Sequence, residues 1–190
     1  EGYLAEANAF LAQMQAAEET VAGTAEETAG DDILAEELKQ AENDAALEAE
    51  MLKQNPLFAL LQPSGARGHA CIGYAHYADT AQINKYFAMP QIKQLFPPEF
   101  KPMWTVKASE MDANGNIFEL VAIKATSRDG KAPLDGGAVT DARVQYGNNG
   151  SPEVSMSMNA EGANTWARMT KDNIGRQIAI VLDGMVYSYP

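Results

Sequence analysis

The chain has 190 residues, of which 46% are hydrophobic and 21% charged, a composition typical of a globular protein with one or two domains. The formal net charge of −12 is confined to residues 1–64, which carry 14 acidic and 2 basic side chains; residues 65–190 carry 12 of each. Nucleic-acid binding needs clustered Lys and Arg, so the composition argues against a nucleic-acid partner. No signal peptide is apparent, and no apolar run approaches the roughly 20 residues of a transmembrane helix.

Residues 1–62 are predicted to form an acidic helical region. The first helix has an apolar stripe of Leu4, Ala7, Leu11, Met14 and Val21, widened by Tyr3, Phe10 and Ala17. After a polar interruption from Gly23 to Gly30, Asp31 or Asp32 begins a second helix that runs to about Lys53. Asn55-Pro56 begins a short third helix, Leu57 to Gln62. The acidic outer face of this hairpin is predicted to be solvated, and docking of a partner protein is the alternative.

Residues 65–190 are predicted to form an α+β domain. Strands are expected at residues 70–77, 104–108, 117–125 and 139–146, with a hairpin connection at residues 112–116. Asp79-Thr80 caps a helix through Met89, and Pro90 restarts it towards Phe96. The prolines between Pro97 and Pro102 remove backbone donors, so that stretch is not expected to form regular structure.

The C-terminal residues predict a β-α-β-β unit. Val154, Met156 and Met158 alternate with polar residues, as in a half-buried strand, and Asn159 caps a helix ending near Gly175. The helical stripe is Gly162, Ala163, Trp166, Ala167, Thr170 and Ile174. An apolar strand over residues 178–182, expected to be covered on both faces, turns at Asp183-Gly184 into a partner strand, Met185 to Tyr189.

Together, these elements predict an α+β fold class. We expect a mostly antiparallel sheet of five to six strands with helices on one face, plus the N-terminal acidic helical hairpin. Trp166, Ile178, Ile180 and Leu182 are expected to hold the C-terminal unit rigid. The chain starts inside a helical pattern and ends on a strand, which suggests a piece of a longer protein.

No motif for catalysis, cofactor binding or metal binding is found in the sequence. His69, Cys71 and His76 are metal-capable, but strand geometry turns His76 away from the other two. Asp112-x-Asn114-x-Asn116 resembles the start of a calcium loop but lacks the glycine and glutamate that such a loop requires later, so a hairpin turn is predicted. A hydrolase whose site is assembled by the fold remains the enzymatic alternative. A single cysteine allows no internal disulfide.

A cluster of large apolar residues surrounds the proline-rich stretch. Phe96, Phe100, Met103 and Trp104 are candidate contacts for an unfolded polypeptide, because irregular apolar surface tolerates many sequences. The alternative is that these side chains fill the core beneath a loop.

Residues 136–190 resemble the head of the first periplasmic domain of SecD and of fused SecDF. The matching motifs are Glu161-Gly162, Thr170-x-x-Asn173-x-Gly175, Ala179-Ile-Val-Leu-Asp-Gly184 and Val186-Tyr-Ser. The strand from Gly136 to Tyr146 and the segment Pro152-Glu-Val also fit the family. Tyr189 departs from it, since the family usually has a small residue before this proline. The preceding Asn-Pro-Leu-Phe segment and acidic insertion resemble fused SecDF of the Bacteroidetes type.

The resemblance implies an accessory subunit of the Sec translocase without enzymatic activity or cofactor. Its periplasmic head is expected to contact the emerging unfolded preprotein during export driven by the proton-motive force. The implied partners are preprotein, the SecF part and the SecYEG translocon. The implied location is the periplasmic side of the inner membrane, with membrane contact only through transmembrane segments outside this chain. A periplasmic module that docks a partner through its acidic helices is the alternative function.

Overall fold

The computed structural model describes residues 2–19, 50–65, 68–127, 130–147 and 149–190. Its helices are α1 (Gly2–Glu19), α2 (Thr80–Ala88), α3 (Pro90–Leu95) and α4 (Ala160–Asp172), with helical residues at 50–54 and a 3₁₀ turn at Gly136–Ala138. The strands are β1 (Gln62–Pro63), β2 (Cys71–His76), β3 (Phe100–Ala108), β4 (Ile117–Lys124), β5 (Val139–Tyr146), β6 (Pro152–Met158), β7 (Ile180–Leu182) and β8 (Met185–Ser188). Most of the predicted second helix, and the interruption before it, lie outside the described residues.

Six strands form one sheet in the order β1-β2-β4-β3-β8-β7. All neighbouring strands are antiparallel except β3 and β8, which pair in parallel at Thr105 and Val186. The predicted α+β fold with a mostly antiparallel sheet is therefore confirmed. β5 and β6 pair with each other in a separate two-stranded sheet, which the sequence did not predict.

One apolar core joins the six-stranded sheet to α1, α2 and α3. Its members include Leu4, Ala7 and Leu11 from α1, Ile83 and Phe87 from α2, Ile92 from α3, and Ala75, Trp104 and Leu120 from the sheet. Burial of a large apolar side chain stabilises the fold by about 1.5–3 kcal/mol. The domain boundary between residues 62 and 65 stays a prediction, and α1 shares this core with the residues that follow the boundary.

Asn8 is a buried polar residue in the apolar stripe of α1. Its side-chain Oδ1 accepts hydrogen bonds from the backbone N–H groups of Leu57 (3.0 Å) and Phe58 (3.3 Å), and its Nδ2 donates to Asn55 Oδ1 (3.0 Å). Because buried polar groups need partners, Asn8 fixes where residues 55–58 lie against α1. One polar residue within an apolar helical stripe does not indicate this role, so the sequence did not predict it.

The predicted third helix from Leu57 to Gln62 is wrong. Residues 55–61 form turns, with N–H to O bonds from Ala59 to Asn55 and from Leu61 to Leu57, both 2.8 Å. Gln62 and Pro63 instead form β1, which pairs with β2. The two strands approach closely at Gly73, where an added Cβ would lie 2.8 Å from the Gln62 carbonyl oxygen.

The expectation that residues 97–102 lack regular structure holds for residues 97–99 but is wrong for residues 100–102, because β3 begins at Phe100 and includes Pro102. Pro102 lies opposite Ala122 of β4, while β8 pairs with β3 at Thr105. One edge of β3 at Pro102 therefore has no paired strand among the described residues. Proline is tolerated at such an edge because no ladder hydrogen bond is lost.

Several local signals in the C-terminal unit are confirmed. Asn159 Oδ1 accepts a hydrogen bond from the N–H of Gly162 (2.8 Å), which caps α4 as predicted. Asp183 and Gly184 have φ angles of 50° and 78°, as the two-residue turn between β7 and β8 requires. β5 has the predicted bounds, residues 139–146.

Burial in this unit differs from the prediction. β7 has only three residues, lies at the sheet edge and is not covered on both faces; Leu182 is exposed. Trp166, Ile178 and Ile180 are half-buried, so none of the four residues expected to hold the unit rigid is fully buried. In α4 only Gly162 is buried, and Ile174 is 82% exposed. The predicted unit spans two sheets, so its apolar positions do not converge on one core.

Candidate apolar contact site

Three phenylalanine rings from different elements meet beside the proline-rich stretch. Phe87 lies on α2, Phe96 follows α3, and Phe100 begins β3. The rings of Phe96 and Phe100 are stacked, with centroids 4.4 Å apart, and Phe87 lies 5.6 Å from Phe96 and 6.1 Å from Phe100. Tyr3 of α1 lies 5.8 Å from Phe96. Aromatic pairs at these separations are favourable, so the rings hold each other in place.

These rings line an open cavity of about 280 Å³. We call it the aromatic cavity; its lining residues are Phe87, Lys93, Phe96, Pro97, Pro98, Phe100, Lys101 and Pro102. The walls are mostly apolar, and the volume lies near the lower end of known ligand sites. The cavity is therefore large enough for a side chain or a small apolar group.

The backbone around the aromatic cavity is already hydrogen-bonded. The N–H of Phe96 donates to the carbonyl of Lys93 (3.3 Å), and the N–H of Phe100 donates to the carbonyl of Pro97 (2.9 Å). The N–H of Ala125 donates to the carbonyl of Glu99 (2.8 Å), which ties the loop to the end of β4. Prolines provide no N–H, so a ligand here would meet apolar contacts and lysine side chains rather than backbone donors.

The four predicted contact residues fall into two pairs. Phe96 and Phe100 line the aromatic cavity, although Phe96 is only 9% exposed. Met103 and Trp104 do not line it: Met103 is half-buried, and Trp104 is 7% exposed with its indole Nε1 donating to Asn84 Oδ1 (2.9 Å). The sequence reasoning missed Phe87 and the two lysines, because the fold brings α2 and α3 to this site.

A second apolar surface lies on the β5–β6 hairpin. Register places six apolar side chains on one side: Ala142, Val144 and Tyr146 from β5, and Pro152, Val154 and Met156 from β6. We call this the β5–β6 apolar face. Val144 is 67%, Val154 69% and Tyr146 76% exposed. The predicted alternation is present; Met158 is half-buried as expected, whereas Val154 and Met156 are exposed.

Glu119 is at the centre of a polar network on β4. Its Oε1 accepts a hydrogen bond from Ser109 Oγ (3.0 Å), and its Oε2 accepts one from the hydroxyl of Tyr189. Its N–H donates to Thr105 Oγ1 (3.1 Å). Desolvation by burial, and then the bond to Glu119, raise the pKa of Tyr189 well above its ordinary value. Tyr189, the departure from the SecD pattern, thus links the chain end to the sheet.

The metal-capable residues of the sequence do not converge. Cys71 is buried, and its thiol donates to the Gly73 carbonyl (3.5 Å). Burial, followed by the nearby charge of Glu119, raises the pKa of Cys71. His76 is exposed with its ring against Tyr77. In the part of the chain that the structure describes, no three His, Cys, Asp or Glu side chains are grouped to hold a metal ion.

The calcium-like stretch is a hairpin connection, as predicted. The carboxylate of Asp112 accepts backbone hydrogen bonds from Asn114 (2.9 Å), Asn116 (2.6 Å) and Ile117 (3.0 Å). These bonds, first that from Asn114 and then that from Asn116, lower the pKa of Asp112. The Asp112 carboxylate therefore serves to close the turn between β3 and β4.

None of the helices that the structure describes is both long enough and apolar enough to cross a membrane.

Comparison with known proteins identifies the C-terminal part of the chain. The family model "SecDF, P1 head subdomain" matches residues 120–190. The protein translocase subunit SecD of Rhodothermus marinus is 38% identical over 138 residues, covering 72% of this chain and 21% of that protein. The protein translocase subunit SecDF of Thermus thermophilus is 44% identical over 57 residues, covering 30% of this chain and 8% of that protein.

A solved structure of SecDF in its super-membrane-facing form has a TM-score of 0.26 and 19% identity over 47% of this chain and 19% of that one, a likeness too low to support an argument. The chain spans about a fifth, or less, of the curated relatives described above. The motifs of residues 136–190 and these sequence matches agree. The chain belongs to the SecD and SecDF family of protein translocase subunits, and it contains the SecDF P1 head subdomain at residues 120–190.

Proposed function

We propose that this chain is the periplasmic head region of a Sec translocase accessory subunit and contacts the emerging, unfolded preprotein. Family membership supports the role in export, because the relatives are named as protein translocase subunits. The observation that carries the contact is the aromatic cavity, where Phe96 and Phe100 form the wall of an open apolar site. The proposed role needs no chemical step.

The aromatic cavity suits a partner without fixed structure. An unfolded chain presents apolar side chains in many sequences, and contacts with rings and prolines do not require particular hydrogen-bond donors. Stacked rings held by the core change little on binding, so little order is lost. A site of this size takes one side chain at a time and binds weakly, which allows the preprotein to move on.

Two further parts of the proposal concern the whole protein. The remainder of the subunit would anchor this region at the periplasmic side of the inner membrane and join it to the SecF part and the SecYEG translocon. The proton-motive force would then change how the head presents its apolar surface. Two states that differ in exposure of such a surface are sufficient to hold and release a chain.

Site-specific crosslinking to an arrested preprotein in the full-length translocase tests the contact. A photoreactive amino acid at Pro98, an exposed residue of the aromatic cavity, is expected to crosslink to the preprotein. The matched control is Ala113, which is exposed in the β3–β4 turn. Crosslinks at Ala113 but not at Pro98, or at neither position while transport proceeds, would remove the aromatic cavity as the contact.

A further inference from the structure

The aromatic cavity has positively charged side chains beside its apolar walls. Among the described residues that line it, only Lys93, near the end of α3, and Lys101, on β3, are charged, and both are exposed. Within the described residues neither lysine forms an ion pair. An apolar wall bordered by unpaired cations favours a ligand that combines an apolar group with negative charge.

The nearest acidic residue in the loop is engaged elsewhere. Glu99 lies between the prolines and Phe100, but its carboxylate forms an ion pair with Lys124 of β4 (3.8 Å). Glu99 is not among the lining residues. In the part of the chain that the structure describes, the lysines of the cavity are therefore left without a neutralising carboxylate, although the chain as a whole has a net charge of −12.

We propose that the aromatic cavity selects an apolar side chain whose neighbours in an unfolded polypeptide are acidic. The inference rests on the proposed function and adds to it the class of segment that is bound. The apolar side chain packs in the cavity against the rings of Phe96 and Phe100, and the flanking carboxylates meet Lys93 and Lys101. The N–H groups of Phe96 and Phe100 are already hydrogen-bonded, and Pro97 and Pro98 have none, so side-chain chemistry is the means of selection.

Binding of fluorescein-labelled octapeptides to the 190-residue chain, measured by fluorescence anisotropy at low ionic strength, tests this selection. The peptides differ only in their central residues, which are Asp-Phe-Asp, Lys-Phe-Lys or Asp-Ser-Asp. The Asp-Phe-Asp peptide is expected to bind about threefold to tenfold more tightly than Lys-Phe-Lys, as two exposed ion pairs allow. It is also expected to bind at least about tenfold more tightly than Asp-Ser-Asp, because serine cannot fill the apolar site.

Charge reversal identifies the lysines. In a Lys93→Glu, Lys101→Glu variant the preference is expected to change to Lys-Phe-Lys. The control Lys107→Glu, Lys171→Glu makes the same change of net charge at exposed lysines outside the cavity and should keep the Asp-Phe-Asp preference. Raising the salt concentration should weaken the preference in both cases, since exposed pairs are screened.

Equal affinity for Asp-Phe-Asp and Lys-Phe-Lys, or the same reversal in the control variant, would overturn the inference. Binding of Asp-Ser-Asp as tight as that of Asp-Phe-Asp would also overturn it, because the apolar wall would then play no part. The crosslinking experiment at Pro98 tests the proposed preprotein contact separately. Crosslinking of preprotein at Pro98 together with no charge preference would leave the proposed function standing and remove only this inference.

Discussion

The six-stranded sheet and the β5–β6 hairpin use similar strand patterns but differ in how their apolar side chains are covered. In the sheet, Leu120 and Val121 are fully buried, and three helices pack on the same core. In the hairpin, Val144 and Val154 face each other across the two strands and remain largely exposed. Alternation therefore specifies which side chains share a face, whereas the burial of that face depends on elements far away in sequence.

The two regions also differ in how firmly their apolar surfaces are held in place. The aromatic cavity belongs to the packed region, so its walls are fixed by the core. The β5–β6 apolar face belongs to a two-stranded sheet, which is marginally stable without further packing. The segment that matches the P1 head subdomain, residues 120–190, contains β7, β8 and most of β4 from the six-stranded sheet, together with the β5–β6 hairpin. Substitutions in the 190-residue chain can test this division.

Shortening a side chain in the centre of the sheet should have the largest effect. Leu120→Ala is expected to lower the free energy of unfolding by about 2–5 kcal/mol, because it leaves a cavity in a fully buried position of β4. Urea unfolding followed by circular dichroism measures the change. A loss below about 1 kcal/mol would contradict the placement of this residue in the core.

The close contact between β1 and β2 should be the next most sensitive position. Gly73→Ala places a Cβ 2.8 Å from the Gln62 carbonyl oxygen, and we expect a loss of about 1–3 kcal/mol in the same unfolding experiment. Gly136→Ala is the matched control, because nothing lies within 4 Å of the added Cβ. Equal effects of the two substitutions would argue against the pairing of β1 with β2.

Asn8 connects α1 to the packed region. Asn8→Ala removes the acceptor for the buried N–H of Leu57, so the expected loss is about 1–3 kcal/mol. Gln13→Ala, at an exposed position of the same helix, should change the unfolding free energy by less than about 0.5 kcal/mol. If both variants behave alike, α1 does not pack on residues 55–58 as described.

The hydroxyl of Tyr189 should contribute less, and in a pH-dependent way. Tyr189→Phe removes the bond to Glu119 and should lower stability by about 1 kcal/mol at pH 7. Because the pKa of Tyr189 is raised in the folded chain, ionisation above the unfolded value of about 10 favours unfolding. The stability difference between wild type and variant is thus fully present below pH 10 and declines as the pH rises further.

Tyr187 provides the control for this pH dependence. It is an exposed tyrosine on the neighbouring β8, so Tyr187→Phe should leave the slope of stability against pH unchanged. Unfolding curves between pH 7 and 11 for the three proteins provide the comparison. A wild-type slope that persists in Tyr189→Phe would exclude Tyr189 as its source.

The smallest effect is expected on the β5–β6 apolar face. Val144→Ala combined with Val154→Ala should change the unfolding free energy by less than about 0.5 kcal/mol, because both side chains are already exposed. A loss comparable to that of Leu120→Ala would mean that the face is covered within this chain. The two sheets would then not differ in how their apolar side chains are covered.

Signals that depend on a few adjacent residues could be predicted from the sequence. The Asn159 cap, the Asp183-Gly184 turn and the Asp112 hairpin connection each rest on local hydrogen bonds or on backbone angles available to particular residues. The extent of β5 followed from its alternation. For these elements, the tertiary structure agrees with the conformation that the local sequence favours.

Features that depend on distant partners could not be predicted. Pro102 joins a strand because β8 pairs elsewhere along β3, and Asn8 is buried because residues 55–58 offer it backbone donors. The aromatic cavity combines Phe87 of α2 with Phe96 and Phe100, which are close in sequence, so only part of it could be predicted. Trp104 was expected among the contacts, but its ring lies in the core.

We propose that unfolded polypeptide contacts this chain at the aromatic cavity rather than at the β5–β6 apolar face. Nuclear magnetic resonance titration with a reduced and alkylated, permanently unfolded protein tests it directly. We predict that the amide signals of Phe96, Phe100 and Lys101 shift on titration, while those of Val144, Tyr146 and Val154 stay in place. Shifts confined to the β5–β6 apolar face, with the cavity signals unchanged, would contradict the claim.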